Sequence, residues 1–305
     1  VEVTAESAGV EELLSDVDMA CYTAKEQGRN RIKVFTRQDD DMSRRKGEMQ
    51  WVTKLNQALE ENQFRLYEQA ILPVTKHDTE IRHSEFLVRL IGDDGKVMEP
   101  ETFVPAAEQY NLMPKIDRWV INTAMQYIEA QLQQGHTPQD LGVYFIGIAG
   151  STLSDGAFYG FVEENLKRHN IPAEMICFEL AETTALGHYG PAQDFINNIR
   201  QYGCRIAIDD FGAGLSSFSY LKSVPVDYVK IDGGFVHHMM EDPMDCAIVE
   251  AINQIGHIAG LQTIAEYVES DSVMYKLKDI GVDYAQGDKL DAPHPIKTAA
   301  ATPTV

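Results

Sequence analysis

Short apolar runs, each ended by one or two polar side chains, recur along this chain. The clearest is Arg205-Ile206-Ala207-Ile208-Asp209-Asp210-Phe211-Gly212-Ala213-Gly214, which leads from β-branched residues into two adjacent acids and a glycine-rich turn. Arg82–Arg89 alternates as a strand does and carries Glu85 and Arg89, and Met175–Glu182 ends in Glu179 and Glu182. Tyr228–Asp232 carries Lys230, Thr263–Glu266 ends in an acid, and Asp283–Gly287 ends in Gln286-Gly287. Between the runs lie amphipathic segments with helical spacing, such as Pro191–Tyr202, Asp242–Ala259 and Asp271–Ile280. Strand alternating with helix at roughly 20 to 35 residues predicts βα units on a parallel sheet. Polar groups gathered at the ends of successive strands predict a closed α/β fold, a (β/α)8 TIM-like barrel with its site at the mouth.

Neighbouring side chains on a strand point to opposite faces. Asp209 and Asp210 therefore both reach one ligand only where the chain leaves the sheet. Adjacent carboxylates repel, and holding them near apolar surface needs a cation or hydrogen-bond donors. Asp-Asp before a glycine turn also serves as a helix N-cap, and that reading stays open for this stretch alone. Six strand ends with Glu, Asp, Lys or Gln read together as a site.

Several of these pieces carry a family resemblance. Glu85-Phe86-Leu87-Val88-Arg89, Glu179-Leu180-Ala181-Glu182, Asp209-Asp210-Phe211-Gly212-Ala213-Gly214, Lys230-Ile231-Asp232, Ala265-Glu266 and Gln286-Gly287 match the motifs of an EAL domain in order and spacing. The resemblance covers residues 50 to 296 and implies the barrel fold of bacterial cyclic-di-GMP phosphodiesterases. Residues 1–36 resemble the C-terminal end of a GGDEF domain, with Asp16–Phe35 matching its last helix and strand. Residues 37–62 read as a linker helix, with Met49, Trp51, Val52, Leu55 and Leu59 at helical spacing. The barrel is then expected over 63–297, and 298–305 as a disordered tail.

In an active member of that family the resemblance implies two Mg²⁺ or Mn²⁺ ions held by acids, which activate water against a phosphodiester. Carried over residue by residue, Glu85, Glu179, Asp209 and Asp210 would be the metal ligands, with Glu266 beside them. Lys230 and Glu266 would be the catalytic pair, Glu182 would hold the loop after Asp210, and Gln286 would finish the pocket. One ligand is missing. The family's strand ending Asn-x-Ser is here Gly147-Ile148-Ala149, and the 32 residues from Gly147 to Glu179 fix the alignment. Mg²⁺ demands near-octahedral oxygen coordination, so a lost donor weakens the site.

Other departures fall on the rim. Tyr267 stands where the family has glycine, Phe86 where it has a small residue, Ala70 where it has proline, and Asp288 where an aromatic follows the last glycine. This pattern is similar to degenerate FimX-type receptors, which are regulators of type IV pili. The resemblance implies that Gln69, Phe86, Leu87, Arg89, Glu266, Tyr267, Gln286, Asp288 and Pro293 hold cyclic-di-GMP, without metal being required. Phe86 and Tyr267 would stack on or flank guanine. Asp117 is a candidate for a guanine edge, a helix-surface or salt-bridge role being an equal alternative. A PilZ-domain protein is the implied partner. The expectation is a receptor that passes occupancy to that partner, the alternative a weak phosphodiesterase producing pGpG.

Composition narrows the field. A net charge of −21 excludes nucleic-acid binding through a basic face and opposes a dianionic ligand, leaving Arg89 and Lys230 to supply local attraction. Cys21, Cys177, Cys204 and Cys246 show no C-x-x-C spacing, and Cys177 and Cys204 read as buried thiols. No apolar run reaches membrane-spanning length, and the expected location is the cytoplasm.

Overall fold

The computed structural model describes residues 51–75, 82–92, 94–214, 221 and 224–296. The expected GGDEF remnant, the first part of the linker helix and the tail lie outside these residues. The chain divides after Lys54 into two compact units, Val1–Lys54 and Leu55–Val305. Helix α1 spans 51–60, and Leu55 and Ala58 on it are fully buried.

Eight strands close a barrel. They are β1 (Phe64–Pro73), β2 (His83–Ile91), β4 (Val143–Gly147), β5 (Ile176–Ala181), β6 (Arg205–Phe211), β7 (Tyr228–Ile231), β8 (Gln262–Ala265) and β9 (Tyr284–Ala285). From β2 to β9 each strand pairs in parallel with the next. The first strand departs from the all-parallel expectation. β1 pairs antiparallel with β2, from Phe64↔Leu90 to Ile71↔His83, and antiparallel with β9 at Leu72↔Ala285. Sequence neighbours such as β1 and β2 pair antiparallel because the connection from Pro73 to His83 is shorter than the dozen or more residues a parallel crossover needs. Two short strands, β3 (Val97–Met98) and β10 (His294–Pro295), extend β2 and β1.

The helices around the barrel follow local signals. Helix α2 (Pro100–Gln109) and α3 (Met113–Gln133) cover β1, β2 and β4, and α4 (Pro138–Leu141) opens on a Thr137–Asp140 capping box. Helices α5 (Gly150–Leu153), α6 (Phe158–Arg168), α7 (Glu182–Gly187) and α8 (Tyr189–Gln201) flank β4 to β6. Helix α9 (Gly233–His238) follows β7, and α10 (Pro243–Ile258) starts at Asp242, whose carboxylate accepts from Met244 N–H at 2.7 Å. Helix α11 (Asp271–Ile280) starts at Ser270 and stops at Gly281, which adopts φ +85 as a helix end requires.

The barrel interior is filled below the mouth. Ile71, Phe145, Cys177, Ala207, Tyr228, Ile264 and Tyr284 form one buried layer, with His83 stacked on Tyr284 at 4.4 Å between centroids. Cys177 and Cys204 are buried free thiols, as expected. Among the described residues, no helix is long and apolar enough to cross a membrane.

Candidate functional site

Side chains on a strand repeat every second residue. Two positions beyond the buried layer, toward the mouth, each strand therefore places one more residue inward. These are Gln69, Glu85, Gly147, Glu179, Asp209, Lys230, Glu266 (just past β8) and Gln286 (just past β9). Seven of the eight are polar. The Lys230 ammonium sits among four carboxylates, 2.8 Å from Glu266, 3.0 Å from Glu179, and 3.1 Å from both Glu85 and Asp209. Lys230 is only 1% exposed. Burial opposes its charge, but the Asp209, Glu179, Glu266 and Glu85 carboxylates overcome it and hold the ammonium well above its usual range. One lysine cannot satisfy four acids. Burial and then the Glu85 carboxylate push Glu179 well up, and burial and then Asp209 do the same to Glu266.

Asp210 joins this ring although it follows Asp209 directly. The β6–β7 register shifts between Ile208 and Phe211, and Asp210 has φ +52. This irregularity turns the second acid toward the mouth, as strand bulges beside sites do. Burial and the Asp209 charge raise Asp210 to about 6. Asp209, Asp210 and Glu266 each offer a carboxylate oxygen within 4.8 Å of the others. Both Glu179 oxygens and Asp209 Oδ1 are buried without a well-aligned hydrogen bond, Lys230 being their near cation. Such a set of oxygens suits a hard divalent cation. Glu182 takes the role expected of it, since its Oε2 accepts from Gly212 N–H at 2.9 Å and ties the turn after Asp210.

The empty place in the ring is Gly147. A Cβ added there would meet nothing within 4 Å, so among the described residues no neighbour has moved in to replace a donor. On the other side of the ring, Gln286 Nε2 donates to Glu85 at 2.7 Å and to Gln69 Oε1 at 2.8 Å. Gln69 Nε2 donates in turn to Asp288 Oδ1 and to the Asp291 carbonyl, at 3.1 and 2.9 Å. Both amide hydrogens of Gln69 are thus engaged, and it serves the ring as a link rather than as an open ligand donor. Asp291, missed from sequence, also accepts from Ala70 N–H at 2.8 Å. The signal was present: a proline at position 70 has no N–H, so Ala70 creates a donor that needs a partner.

The rim residues divide. Leu87 and Arg89 share the inward face with Glu85. Arg89 Nε meets Glu99 at 2.7 Å, and its guanidinium lies 5.5 Å from the Tyr67 ring centre. Glu99 carried no sequence signal, because it acts across the β2–β3 hairpin. Tyr267 is 62% exposed, and Asp288 and Pro293 lie in the loop before β10. Phe86 is a correction. Next to Glu85 on a strand, it points outward, is 4% exposed, and stacks on Tyr144 at 4.8 Å with an angle of 3°. Its ring has no open face for guanine. Asp117 is a second correction. It is buried in α3, accepts from Ala149 N–H at 3.0 Å and from Thr152 Oγ1 at 2.5 Å, and so caps α5 instead of facing a ligand. Burial raises its carboxyl to about 7 against those two hydrogen bonds.

Comparison with known proteins agrees with this geometry. The EAL domain family model matches residues 52–293. The chain is 34% identical over 288 residues to the cyclic di-GMP phosphodiesterase PdeB of Shewanella oneidensis, covering 94% of this chain and 33% of that protein. It spans about a third of the length of the curated relatives it matches. Among solved structures, the FimX EAL domain from Pseudomonas aeruginosa bound to cyclic-di-GMP superposes with a TM-score of 0.72 at 29% identity, covering 80% of this chain and 96% of that one. The PaMucR phosphodiesterase in complex with cyclic-di-GMP gives 0.74 at 30% identity, with 81% and 98% covered.

Proposed function

The chain belongs to the EAL domain family, and from that membership we propose that its barrel mouth binds cyclic-di-GMP and hydrolyses it slowly or not at all. The observation that carries the reading is the gap at Gly147, open to 4 Å, in a ring whose other positions are polar. Arg89, held by Glu99 and Tyr67, offers a guanidinium for charge-assisted hydrogen bonds to a phosphate. Two relatives with similar barrels were solved with cyclic-di-GMP bound.

A slow, metal-dependent phosphodiesterase yielding pGpG is the second reading, favoured by Asp209, Asp210 and Glu266 converging within 4.8 Å. These residues with Glu85 and Glu179 would hold Mg²⁺ or Mn²⁺, which when bound lowers the pKa of water and stabilises a leaving oxygen. Lys230 would then offset part of the charge of the neighbouring acids, and Glu182 would keep the Asp210 turn in place. By its FimX-type resemblance the proposal extends to a cytoplasmic PilZ-domain partner and to type IV pilus regulation.

Calorimetric titration with cyclic-di-GMP in EDTA, repeated with Mn²⁺ while chromatography follows pGpG, tests the proposal. Equal affinity under both conditions with little or no product over hours is the expected result. Loss of binding in chelator overturns the metal-free receptor, and brisk turnover establishes the enzyme.

A further inference from the structure

Two residues that meet at the mouth each go against their local backbone preference. Tyr267, directly after Glu266, has φ +51. That left-handed region is open to glycine and crowds the Cβ of a large residue. Gly233 opens α9, where alanine would favour the helix. The two positions fit one another. A Cβ on Gly233 would stand 1.9 Å from Cδ2 of Tyr267 and 2.6 Å from its Cγ. The tyrosine ring thus occupies space that only a glycine leaves beside the first turn of α9.

The ring is not hidden by this seating. It stays 62% exposed, with a face turned to solvent. It directly follows Glu266 of the polar ring and lies against Gly233. An exposed tyrosine in a strained backbone adds little to packing. Strain of that kind persists where the surrounding structure enforces it, and such places concentrate at ligand sites.

We propose that Gly233 is a positioning residue which seats Tyr267 as a fixed aromatic wall for a purine ring at the barrel mouth. The inference rests on the reading that the mouth binds cyclic-di-GMP. A ring already locked by Gly233 and by the left-handed backbone loses little further freedom when a base stacks on it. The backbone strain is then kept for binding, and stability and affinity should respond in opposite directions at position 267. A purely structural pair gives a different pattern, in which stability and affinity fall together or affinity does not change.

The test compares the parent chain, Tyr267→Gly, Gly233→Ala and the double variant. Each is melted without ligand and titrated calorimetrically with cyclic-di-GMP in chelator. Tyr267→Gly is expected to raise the ligand-free Tm by about 2–4 °C. The same variant should weaken binding roughly ten-fold or more, as loss of a base-stacking aromatic does. Gly233→Ala should weaken binding to a similar extent in the parent and not at all in the Tyr267→Gly background, because the two changes share one ring. Tyr267→Gly that binds as the parent does, or an equal Gly233→Ala loss in both backgrounds, overturns the proposal. If Gly233→Ala does not fold, the opposed shifts of Tyr267→Gly decide alone. A parent that binds no cyclic-di-GMP at all overturns the functional reading, and the positioning role with it.

Discussion

Gly147 has room for a side chain, since a Cβ there meets nothing within 4 Å. Its backbone is ordinary strand paired with Glu179, so an asparagine can enter without strain. Gly147→Asn is expected to raise Mn²⁺-dependent pGpG formation at least about ten-fold, the scale on which groups around a metal act. No gain would shift the defect to Tyr267 or to the last loop. Asp117 makes a different prediction at the same scale. Its folded carboxyl titrates near 7, far above its ordinary value of 3.8, because burial disfavours the charge. The folded state therefore binds this proton more tightly than the unfolded chain. The stability it contributes is present in full below about pH 4 and is lost as pH rises through about 7, on the order of 4 kcal/mol at most. Asp117→Asn keeps an acceptor for Ala149 and Thr152 but cannot ionise. Urea midpoints of this variant should fall less than those of the parent between pH 4.5 and 8; parallel curves would contradict the shift.

Among the elements, two strands owe their function to irregularity. β6 brings Asp209 and Asp210 to one side only through its shifted register and the left-handed Asp210. β1 runs against its neighbours, and on the side away from β2 the loop before β10 holds it at Gln69 and Ala70, between its short pairings with β10 and β9. There Asp291 accepts from Ala70 N–H and its carbonyl accepts from Gln69. Asp291→Ala should cost about 1 kcal/mol, the lower end of the penalty for a donor left without a partner, because Ala70 is half-buried. Adding Ala70→Pro to that variant removes the orphaned donor and should restore part of the loss. Denaturant unfolding of the single and double variants measures both effects, and a double variant less stable than the single one would sink the clip.

At the scale of the molecule, the net charge of −21 surrounds a site proposed for an anion. Like charges slow encounter, and salt screens them over about 10 Å at 0.1 M. Arg89 acts only at contact, because Glu99 at 2.7 Å cancels most of its distant field. The association rate constant for cyclic-di-GMP is therefore expected to rise two-fold or more, as an estimate on the order of such screening effects, between 20 and 150 mM salt. Stopped-flow fluorescence with a labelled analogue checks this. A rate that falls with salt would mean that an attractive local field governs capture.

The apolar runs and the polar groups that end them determined the barrel, the βα order and most of the ring. That much is written locally, because strand period and terminal chemistry need only neighbours in sequence. Helix Asp271–Ile280 appears with the bounds its pattern implies, and Pro191–Tyr202 and Asp242–Ala259 shift by no more than about two residues, as fraying ends do. The family motifs likewise fixed Glu85, Glu179, Asp209, Lys230, Glu266 and Gln286 as one constellation, and located the vacancy at Gly147. Other features depended on contacts between residues far apart in the chain. The direction of β1, the saturation of Gln69 by Asp288 and Asp291, the Arg89–Glu99 pair and the seat of Tyr267 on Gly233 all join distant segments. Phe86 and Asp117 were misplaced for the same physical reason. Residue type announces a capacity to stack or to accept, but only the packed neighbours, Tyr144 for one and the start of α5 for the other, decide whether that capacity is already used.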